Sequence, residues 1–157
     1  MDKTNMKTKA LVVYYTRTGN TKKVAMKIAK TINADICEIQ SNRYPGIRGY
    51  FRAGFQAVFK RRPKISISKN TNNYDLIILG TPNWGKKMAS PVRSFIYNRE
   101  FKKLAFFCVQ GGNGAEKILD DMEKLTKKPV AKFFTNEKDI GEENYKNKIK
   151  EFCRKLK

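Results

Sequence analysis

The sequence predicts an α/β fold in which helices cover both faces of a parallel sheet, giving three layers. Short runs of apolar, β-branched and aromatic residues recur about five times along the chain. Stretches with the apolar spacing of an amphipathic helix separate these runs. Strands that are buried on both faces give such continuous apolar runs, and the alternation of strand and helix favours parallel pairing.

Five of the apolar runs are the predicted strands. The first reads ALVVYY, and its β-branched and aromatic residues are typical of a buried strand. The third reads YDLIILG and ends in a glycine, which marks the point where the chain turns. The predicted strands are Ala10–Tyr15, Asp35–Ile39, Tyr74–Gly80, Leu104–Val109 and Val130–Phe134.

Four stretches between and after these strands have helical spacing. In the first, Val24, Ile28 and Ile32 share one face and lysines lie mostly off it. The second begins with Ser-Pro, which suits an N-cap followed by proline at the first helical position. The predicted helices are Gly19–Ile32, Ser90–Tyr97, Asn113–Leu125 and Glu142–Leu156.

The stretch Arg48–Arg62 is a fifth helical candidate, and it fits the alternation least well. Phe51, Phe55 and Phe59 share one face of this stretch, and arginines and lysine mark the rest. One interpretation is a cover helix that packs its phenylalanines on the sheet. The other is a basic, aromatic surface that contacts a partner or the surface of a membrane.

Length and composition predict a single domain over residues 1–157. A chain of 157 residues suits one sizeable core, and no break in composition divides it. No apolar run approaches the roughly 20 residues of a membrane-spanning helix. The run Ala10–Tyr15 is too short for the core of a signal peptide, so we expect a cytoplasmic protein without a transmembrane segment.

The residue types exclude several kinds of catalytic site. The chain has no histidine, which removes Ser-His and Cys-His catalysis and most transition-metal sites. Cys37, Cys108 and Cys153 are widely spaced and form no CxxC pair, so we expect neither a disulfide nor a zinc site. We therefore predict no metal site and assign no catalytic side chain. Any chemistry must come from a bound cofactor or from carboxylate, amine or hydroxyl groups.

The charge is strongly positive, at +20 with a pI of about 10.0. Such a surface attracts nucleic acid, anionic lipid or acidic proteins. The alternative interpretation is compositional drift, because a lysine-rich surface costs a fold little and charge does not decide the fold. The lysines are spread over many elements and no nucleic-acid motif occurs, so no specific nucleic-acid partner is expected.

The turn between the first predicted strand and helix carries the most specific motif. The start of a helix offers free backbone N–H groups and the positive end of the helix dipole, which together bind anions. Hydroxyl, amide and guanidinium groups and one glycine surround this point, which exceeds what a simple cap needs. The predicted phosphate-binding residues are Thr16, Arg17, Thr18, Gly19, Asn20 and Thr21.

Two further loops follow the third and fourth predicted strands. The first contains the only tryptophan, Trp84, which is either a hydrophobic plug or a flat wall for a planar ligand. The second is rich in glycine, and Asn113 is placed to cap the following helix. Because the carboxyl ends of parallel strands meet at one edge of a sheet, all three loops should surround one elongated ligand. The predicted residues of these loops are Thr81, Pro82, Asn83, Trp84, Gly85, Gly111, Gly112 and Asn113.

These motifs make the sequence resemble the flavodoxin family. Thr16–Thr21 follows the family's T/S-x-T-G-x-T phosphate loop, and Tyr74–Trp84 looks like its third strand and first flavin-flanking loop. The resemblance covers nearly the whole chain in element order and implies a five-stranded parallel sheet of order 2-1-3-4-5. It also implies bound FMN, with its phosphate in the first loop, Trp84 beside the isoalloxazine ring, and Gly111–Asn113 at the pyrimidine edge.

Three functions remain open at this point. The first is a small electron-transfer protein whose redox partner is acidic, because this chain lacks the acidic rim usual in flavodoxins. The second is an FMN-dependent NAD(P)H, quinone or protoporphyrinogen-type oxidoreductase, because Gly111–Asn113 offers no aromatic side chain to cover one flavin face. The third is a polyanion-binding module with a vestigial flavin site.

Overall fold

Five parallel strands form the central sheet of the computed structural model, which describes residues 7–41 and 62–157. The predicted helix Arg48–Arg62 therefore lies outside the described residues, apart from Arg62. The strands are β1 (Ala10–Tyr14), β2 (Asp35–Glu38), β3 (Gln40–Ser41), β4 (Ile65–Ser66), β5 (Leu76–Trp84), β6 (Lys87–Met88), β7 (Lys103–Gln110) and β8 (Lys132–Asn136).

The order of the parallel strands across the sheet is β2-β1-β5-β7-β8. Counted over the parallel strands alone this is 2-1-3-4-5, so the predicted order is confirmed. The direction of the chain across the sheet reverses between β1 and β5, which pair in parallel from Ala10 with Leu76 to Tyr14 with Gly80. A crevice forms outside the carboxyl edge at such a reversal.

Helices cover both faces of the sheet, as predicted. They are α1 (Asn20–Ile32), α2 (Ser90–Ile96), α3 (Ala115–Leu125) and α4 (Glu143–Arg154). The core on one face joins side chains of α1 and α4 to the sheet, and the core on the other joins those of α2 and α3. Two 3-10 turns, Thr71–Asn73 and Glu137–Asp139, connect elements at the ends of the sheet.

β1, β2 and β7 match the predicted ranges to within one residue at each end, whereas β5 and β8 differ by more. β5 continues past Gly80 to Trp84, because its last residues pair with β6 in an antiparallel hairpin, Asn83 with Met88 and Trp84 with Lys87. β8 begins two residues later than predicted, at Lys132. Val130 precedes it, with its N–H donated to the carbonyl of Leu104 at 2.7 Å and its side chain 47 % exposed.

A small antiparallel pair lies beside the main sheet. Gln40 pairs with Ser66 and Ser41 pairs with Ile65 in β3 and β4. None of the helices within residues 7–41 and 62–157 has the length and apolar character that crossing a bilayer requires.

Candidate functional site

The first loop connects β1 to α1, and no side chain caps the N-terminus of this helix. Gly19 is the N-cap residue at φ 96°, a left-handed conformation that favours glycine, and no side chain caps the first turn. No acidic residue lies in that turn either. Thr16 stabilises the turn, because its Oγ1 accepts a hydrogen bond from the N–H of Gly19 at 3.0 Å. The open amides and the helix dipole therefore make this point suitable for an anion.

The polar side chains of this loop divide into two groups. Arg17 and Thr18 are exposed and line the large cleft at the carboxyl edge of the sheet. Thr21 is only 2 % exposed, on the first turn of α1, and Thr16 and Asn20 are half-buried at the turn itself. The structure thus places the hydroxyl of Thr18 at the cleft and those of Thr16 and Thr21 within the framework of the turn.

The second predicted loop is the end of β5 and a tight hairpin turn. Gly85 and Lys86 have φ values of 56° and 63°, and positive φ at both central residues is the geometry of a type I′ turn. The backbone of Lys86 is in the left-handed region, which is unfavourable for a residue with a Cβ. Its N–H donates to the Oδ1 of Asn83 at 2.8 Å, which stabilises the turn. The turn therefore projects Lys86 in a fixed direction beside the cleft.

Thr81 lies away from the cleft despite its place in the predicted loop. It is fully buried, its Oγ1 accepts the N–H of Ala89 at 3.0 Å, and the same hydroxyl donates to the carbonyl of Pro82 at 2.9 Å. These contacts fasten β5 to the start of α2. Thr81 thus supports the residues that line the cleft rather than lining it.

Trp84 is held by an edge-to-face contact with Tyr15. The two ring centroids are 5.5 Å apart with an interplanar angle of 87°, a favourable arrangement for aromatic rings. Tyr15 is only 8 % exposed and anchors the half-buried indole to the core. Trp84 also lines the cleft, so the indole is part of both the core and the cleft wall.

The third loop, Gly111–Asn113, is exposed, and the buried side chain of Gln110 stabilises it. The Oε1 of Gln110 accepts the N–H of Ala115 at 2.9 Å and lies 3.3 Å from the Nδ2 of Asn83. The predicted capping role of Asn113 is wrong, because the N-cap residue of α3 is Gly114, at φ 100°, and Gln110 supplies the acceptor. Sequence reasoning missed Gln110, since an acceptor five residues before its donor matches no local capping pattern.

The cleft between these loops has a volume of about 790 Å³. It brings together residues from all three predicted loops and adds two that the sequence analysis missed, Lys86 and Glu137. Glu137 directly follows β8. The residues after the last parallel strand also lie at the carboxyl edge, and this rule applied to β8 would predict Glu137 at the cleft. The lining residues are Arg17, Thr18, Pro82, Asn83, Trp84, Gly85, Lys86, Gly111, Gly112, Asn113 and Glu137.

Charge and shape in the cleft suit a ligand with an anion at one end and a flat body. Arg17 and Lys86 contribute positive charge, whereas Glu137 supplies the single carboxylate among the described lining residues. That carboxylate lies close to the third loop, because a Cβ added at Gly111 would be 3.6 Å from its Oε2. The indole, a proline and a glycine pair provide flat walls that admit a ring.

The cysteine on β7 is a residue of the core. Cys108 on β7 pairs with Thr81 and is fully buried. Burial raises the pKa of its thiol to about 12, so the thiolate does not form near neutral pH.

Comparison with known proteins bears on the family and the fold. A sequence model described as flavodoxin matches residues 9–156. No curated protein sequence matches the chain significantly.

Three solved structures illustrate the likeness in fold. A flavoprotein from Lactobacillus acidophilus in complex with FMN superposes with a TM-score of 0.70 at 22 % identity, covering 85 % of this chain and 96 % of that one. A Bacteroides uniformis protein classed provisionally as a flavoprotein gives 0.77 at 19 % identity, with coverage of 94 % and 98 %. Oxidised flavodoxin 2 from Bacillus cereus gives 0.62 at 17 % identity, with coverage of 94 % and 96 %. At these identities the likeness establishes the fold alone.

Proposed function

This chain belongs to the flavodoxin family, and on that premise we propose that it binds FMN in the cleft and transfers electrons to or from a partner protein. The observation that carries the proposal is the convergence of three loops on one cleft of about 790 Å³. An uncapped helix start lies at one side of the site, and the indole of Trp84 forms a flat wall. The FMN bound to the Lactobacillus acidophilus flavoprotein of the same fold supports the choice of ligand.

The proposal gives each loop a separate role. The amides of the first turn of α1 hold the phosphate, together with Arg17 and Thr18. Thr16, Gly19, Asn20 and Thr21 form the turn that presents these amides. Trp84 flanks the ring, with Thr81, Pro82, Asn83 and Gly85 holding its loop in place. Gly111, Gly112 and Asn113 meet the pyrimidine edge through their backbone. When bound, the flavin supplies the redox chemistry, and these residues orient it and set its electrostatic environment.

The visible absorbance spectrum tests the proposal. The purified protein is recorded before and after FMN is added, and then through a stepwise anaerobic reduction. We expect flavin bands that change on binding and two separate one-electron steps, which suit an electron carrier. Absence of any bound flavin in excess FMN would contradict the central proposal.

A second candidate function is an FMN-dependent oxidoreductase acting on NAD(P)H or a quinone. The observation that favours it is the third loop, where Gly111, Gly112 and Asn113 are all exposed and carry no ring. One flavin face would then be accessible to a hydride donor or acceptor. Steady-state turnover with NAD(P)H, together with reduction in a single two-electron step, distinguishes this function from the carrier.

The partner proposed for the carrier is an acidic redox protein. Arg17 and Lys86 stand at the cleft on a chain whose net charge is +20, and charges of one sign around a site steer association with the opposite sign. Association with such a partner should weaken as salt rises above about 150 mM, where exposed charges are screened. The cytoplasmic location stays a prediction from the sequence.

A further inference from the structure

A second cavity, of about 490 Å³, lies among Arg62, Arg93, Tyr97, Arg99 and Leu125. We propose that this cavity binds a small organic anion, an apolar or aromatic body that carries one carboxylate or phosphate group. The proposal goes beyond FMN binding and concerns a separate site.

The cavity is at the opposite edge of the sheet from the cleft. α2 begins after the hairpin at the carboxyl edge, so its last residue, Ile96, and the following Tyr97 and Arg99 lie near the amino end of β7. Leu125 is the last residue of α3, which starts after the carboxyl end of β7 and runs back in the same direction. A ligand in this cavity therefore does not compete for the loops that form the cleft.

No carboxylate of the described residues forms an ion pair with the three arginines of this cavity. Within residues 7–41 and 62–157, none of the ion pairs involves Arg62, Arg93 or Arg99. Partial burial lowers the pKa of Arg93, and the more distant carboxylate of Asp121 opposes this effect. A guanidinium that has lost water without gaining a carboxylate is stabilised by an anion that enters the cavity.

Two of the guanidinium groups lie over an aromatic ring. The Cζ of Arg62 lies 3.4 Å from the centroid of Tyr97, and the Cζ of Arg99 lies 4.8 Å from that of Phe95. Arg62 also donates a hydrogen bond to the Tyr97 side chain. A guanidinium has several N–H donors, so others remain for an anion that enters the cavity. This arrangement favours bidentate binding of a carboxylate or phosphate.

Apolar surface completes the cavity. Tyr97 and Leu125 are 54 % and 50 % exposed, and both are among the few large hydrophobic residues exposed in the described chain. An anion alone would leave this surface in water, whereas an attached apolar body would cover it. The volume lies within the range of about 300–1,000 Å³ typical of small-molecule pockets, which favours a small molecule over a protein partner.

A hydrogen bond holds the backbone next to Arg62 against α2. The Oγ of Ser94 on α2 donates to the carbonyl of Pro63 at 2.6 Å, one residue after Arg62. This hydrogen bond holds the segment beside the helix that carries Arg93. The cavity walls are therefore joined before any ligand enters, which reduces the entropy lost on binding.

Isothermal titration calorimetry of the full chain tests the proposal, with excess FMN and without it, in about 150 mM salt, where exposed charges are screened. Phenyl phosphate and phenylacetate are the two anionic probes, and their relative affinities distinguish a phosphate from a carboxylate ligand. Two fragments serve as control ligands: inorganic phosphate, which has the anion without the ring, and benzyl alcohol, which has the ring without the anion. We expect saturable 1:1 binding of at least one anionic aromatic probe, equal with and without FMN, and much weaker binding of the two fragments.

Variants locate the binding. Arg93→Gln and Arg99→Gln should each lower the affinity for the aromatic anion about tenfold, as loss of a charged hydrogen bond implies. Lys150→Gln on α4 removes one charge from a distant exposed position and should leave the affinity unchanged. Leu125→Ser should weaken binding of the aromatic anions and leave that of inorganic phosphate unchanged.

Several results would overturn the proposal. These are no saturable binding of either aromatic anion, an equal loss in Lys150→Gln and the arginine variants, or affinity for inorganic phosphate as high as for phenyl phosphate. Loss of probe binding on addition of FMN would also overturn it, because the probes would then occupy the cleft. Circular dichroism of each variant verifies that the fold is kept, and the exposed Leu125 provides a variant that does not depend on a half-buried arginine.

Discussion

The side-chain amide of Asn83 donates to the backbone carbonyl of Asn113 at 2.8 Å, which joins two walls of the cleft across 30 residues of sequence. The Oδ1 of the same side chain accepts the N–H of Lys86 at 2.8 Å. One asparagine therefore ties the hairpin turn to the third loop. Together with the packing of Lys86 on Gly114, this side chain holds the two walls in position.

Asn83→Ala is expected to loosen the cleft. Loss of the two bonds at 2.8 Å should lower the free energy of unfolding by about 1–2 kcal/mol, since each partly exposed hydrogen bond contributes about 0.5–1.5 kcal/mol. The affinity for FMN should fall about tenfold, a difference of about 1.4 kcal/mol. Urea denaturation of the protein without flavin and fluorescence titration with FMN measure the two effects.

The matched control for this variant is Asn147→Ala. Asn147 is exposed on α4 and is not among the residues that line the cleft. The control should leave FMN affinity unchanged. If Asn83→Ala binds FMN as tightly as the wild type, then this asparagine does not set the position of the cleft walls.

Gly80→Ala is expected to destabilise the core. Gly80 pairs with Phe107 across β5 and β7, and a Cβ at this position would lie 2.0 Å from the ring Cζ. Phe107 is fully buried, so the ring cannot move aside without disturbing its neighbours. Overpacking of this kind costs about 1–3 kcal/mol or more, which urea denaturation measures.

A double-mutant cycle identifies the cause. Phe107→Leu alone should be destabilising, because it removes buried apolar volume. In Gly80→Ala/Phe107→Leu the smaller side chain makes room for the new methyl group. The double variant should therefore be more stable than the sum of the single effects implies, and strict additivity would show that the ring is not what Gly80 accommodates.

The same pair shows what the sequence can and cannot predict. Apolar runs and helical spacing predict the strands that contain Gly80 and Phe107, and the strand order follows from the family resemblance. The contact between the two residues depends on the register of parallel strands, which no local pattern encodes. Lys86 was missed for a similar reason, because its place at the cleft comes from a hairpin that extends β5 beyond its apolar run.

Gly19→Ala is expected to weaken the anion site at the start of α1. Gly19 has φ 96°, so an alanine here adopts a strained conformation or changes the turn. The strain should cost about 1 kcal/mol or more in the free energy of unfolding. FMN affinity should fall as well, because the amides of the first turn shift relative to the phosphate.

Gly112→Ala is the matched control for stability. Its φ is not positive, and nothing lies within 4 Å of an added Cβ. We expect a change within about 0.5 kcal/mol, as for an ordinary surface substitution. Equal destabilisation in both variants would mean that the left-handed conformation of Gly19 is not the reason for a glycine at the turn.

The Tyr74–Asp35 hydrogen bond is expected to make stability depend on pH at both extremes. The Oη of Tyr74 donates to the Oδ2 of Asp35 at 2.6 Å, which raises the pKa of Tyr74 to about 12 and lowers the pKa of Asp35. Stability from a raised pKa is present below the unfolded value of about 10 and is lost as pH rises towards 12. Stability from a lowered pKa is present above about pH 4 and is lost as pH falls.

Tyr74→Phe tests this linkage. The variant should be less stable than the wild type at pH 7, and the difference should shrink between about pH 10 and 12 and again below about pH 4. Burial also raises the pKa of Tyr145, so only the difference between the two proteins isolates Tyr74. Urea denaturation across pH measures it, and a difference that stays constant from pH 3 to about 12 would contradict the linkage.

Lys86 and Glu137 are expected to shift the reduction potential of bound FMN in opposite directions. Both line the cleft, and reduction adds negative charge to the flavin. Lys86→Met keeps the aliphatic stem that packs on Gly114 but removes the cation, so the potential should fall. Glu137→Gln removes the carboxylate and should raise the reduction potential.

The expected shifts are tens of millivolts. A unit charge about 10 Å away contributes about 1 kcal/mol at high effective dielectric, or about 40 mV for one electron. Redox titration at low and high salt measures both shifts, which should diminish with salt. Shifts of the same sign in the two variants would show that a change in packing, rather than charge, sets the potential.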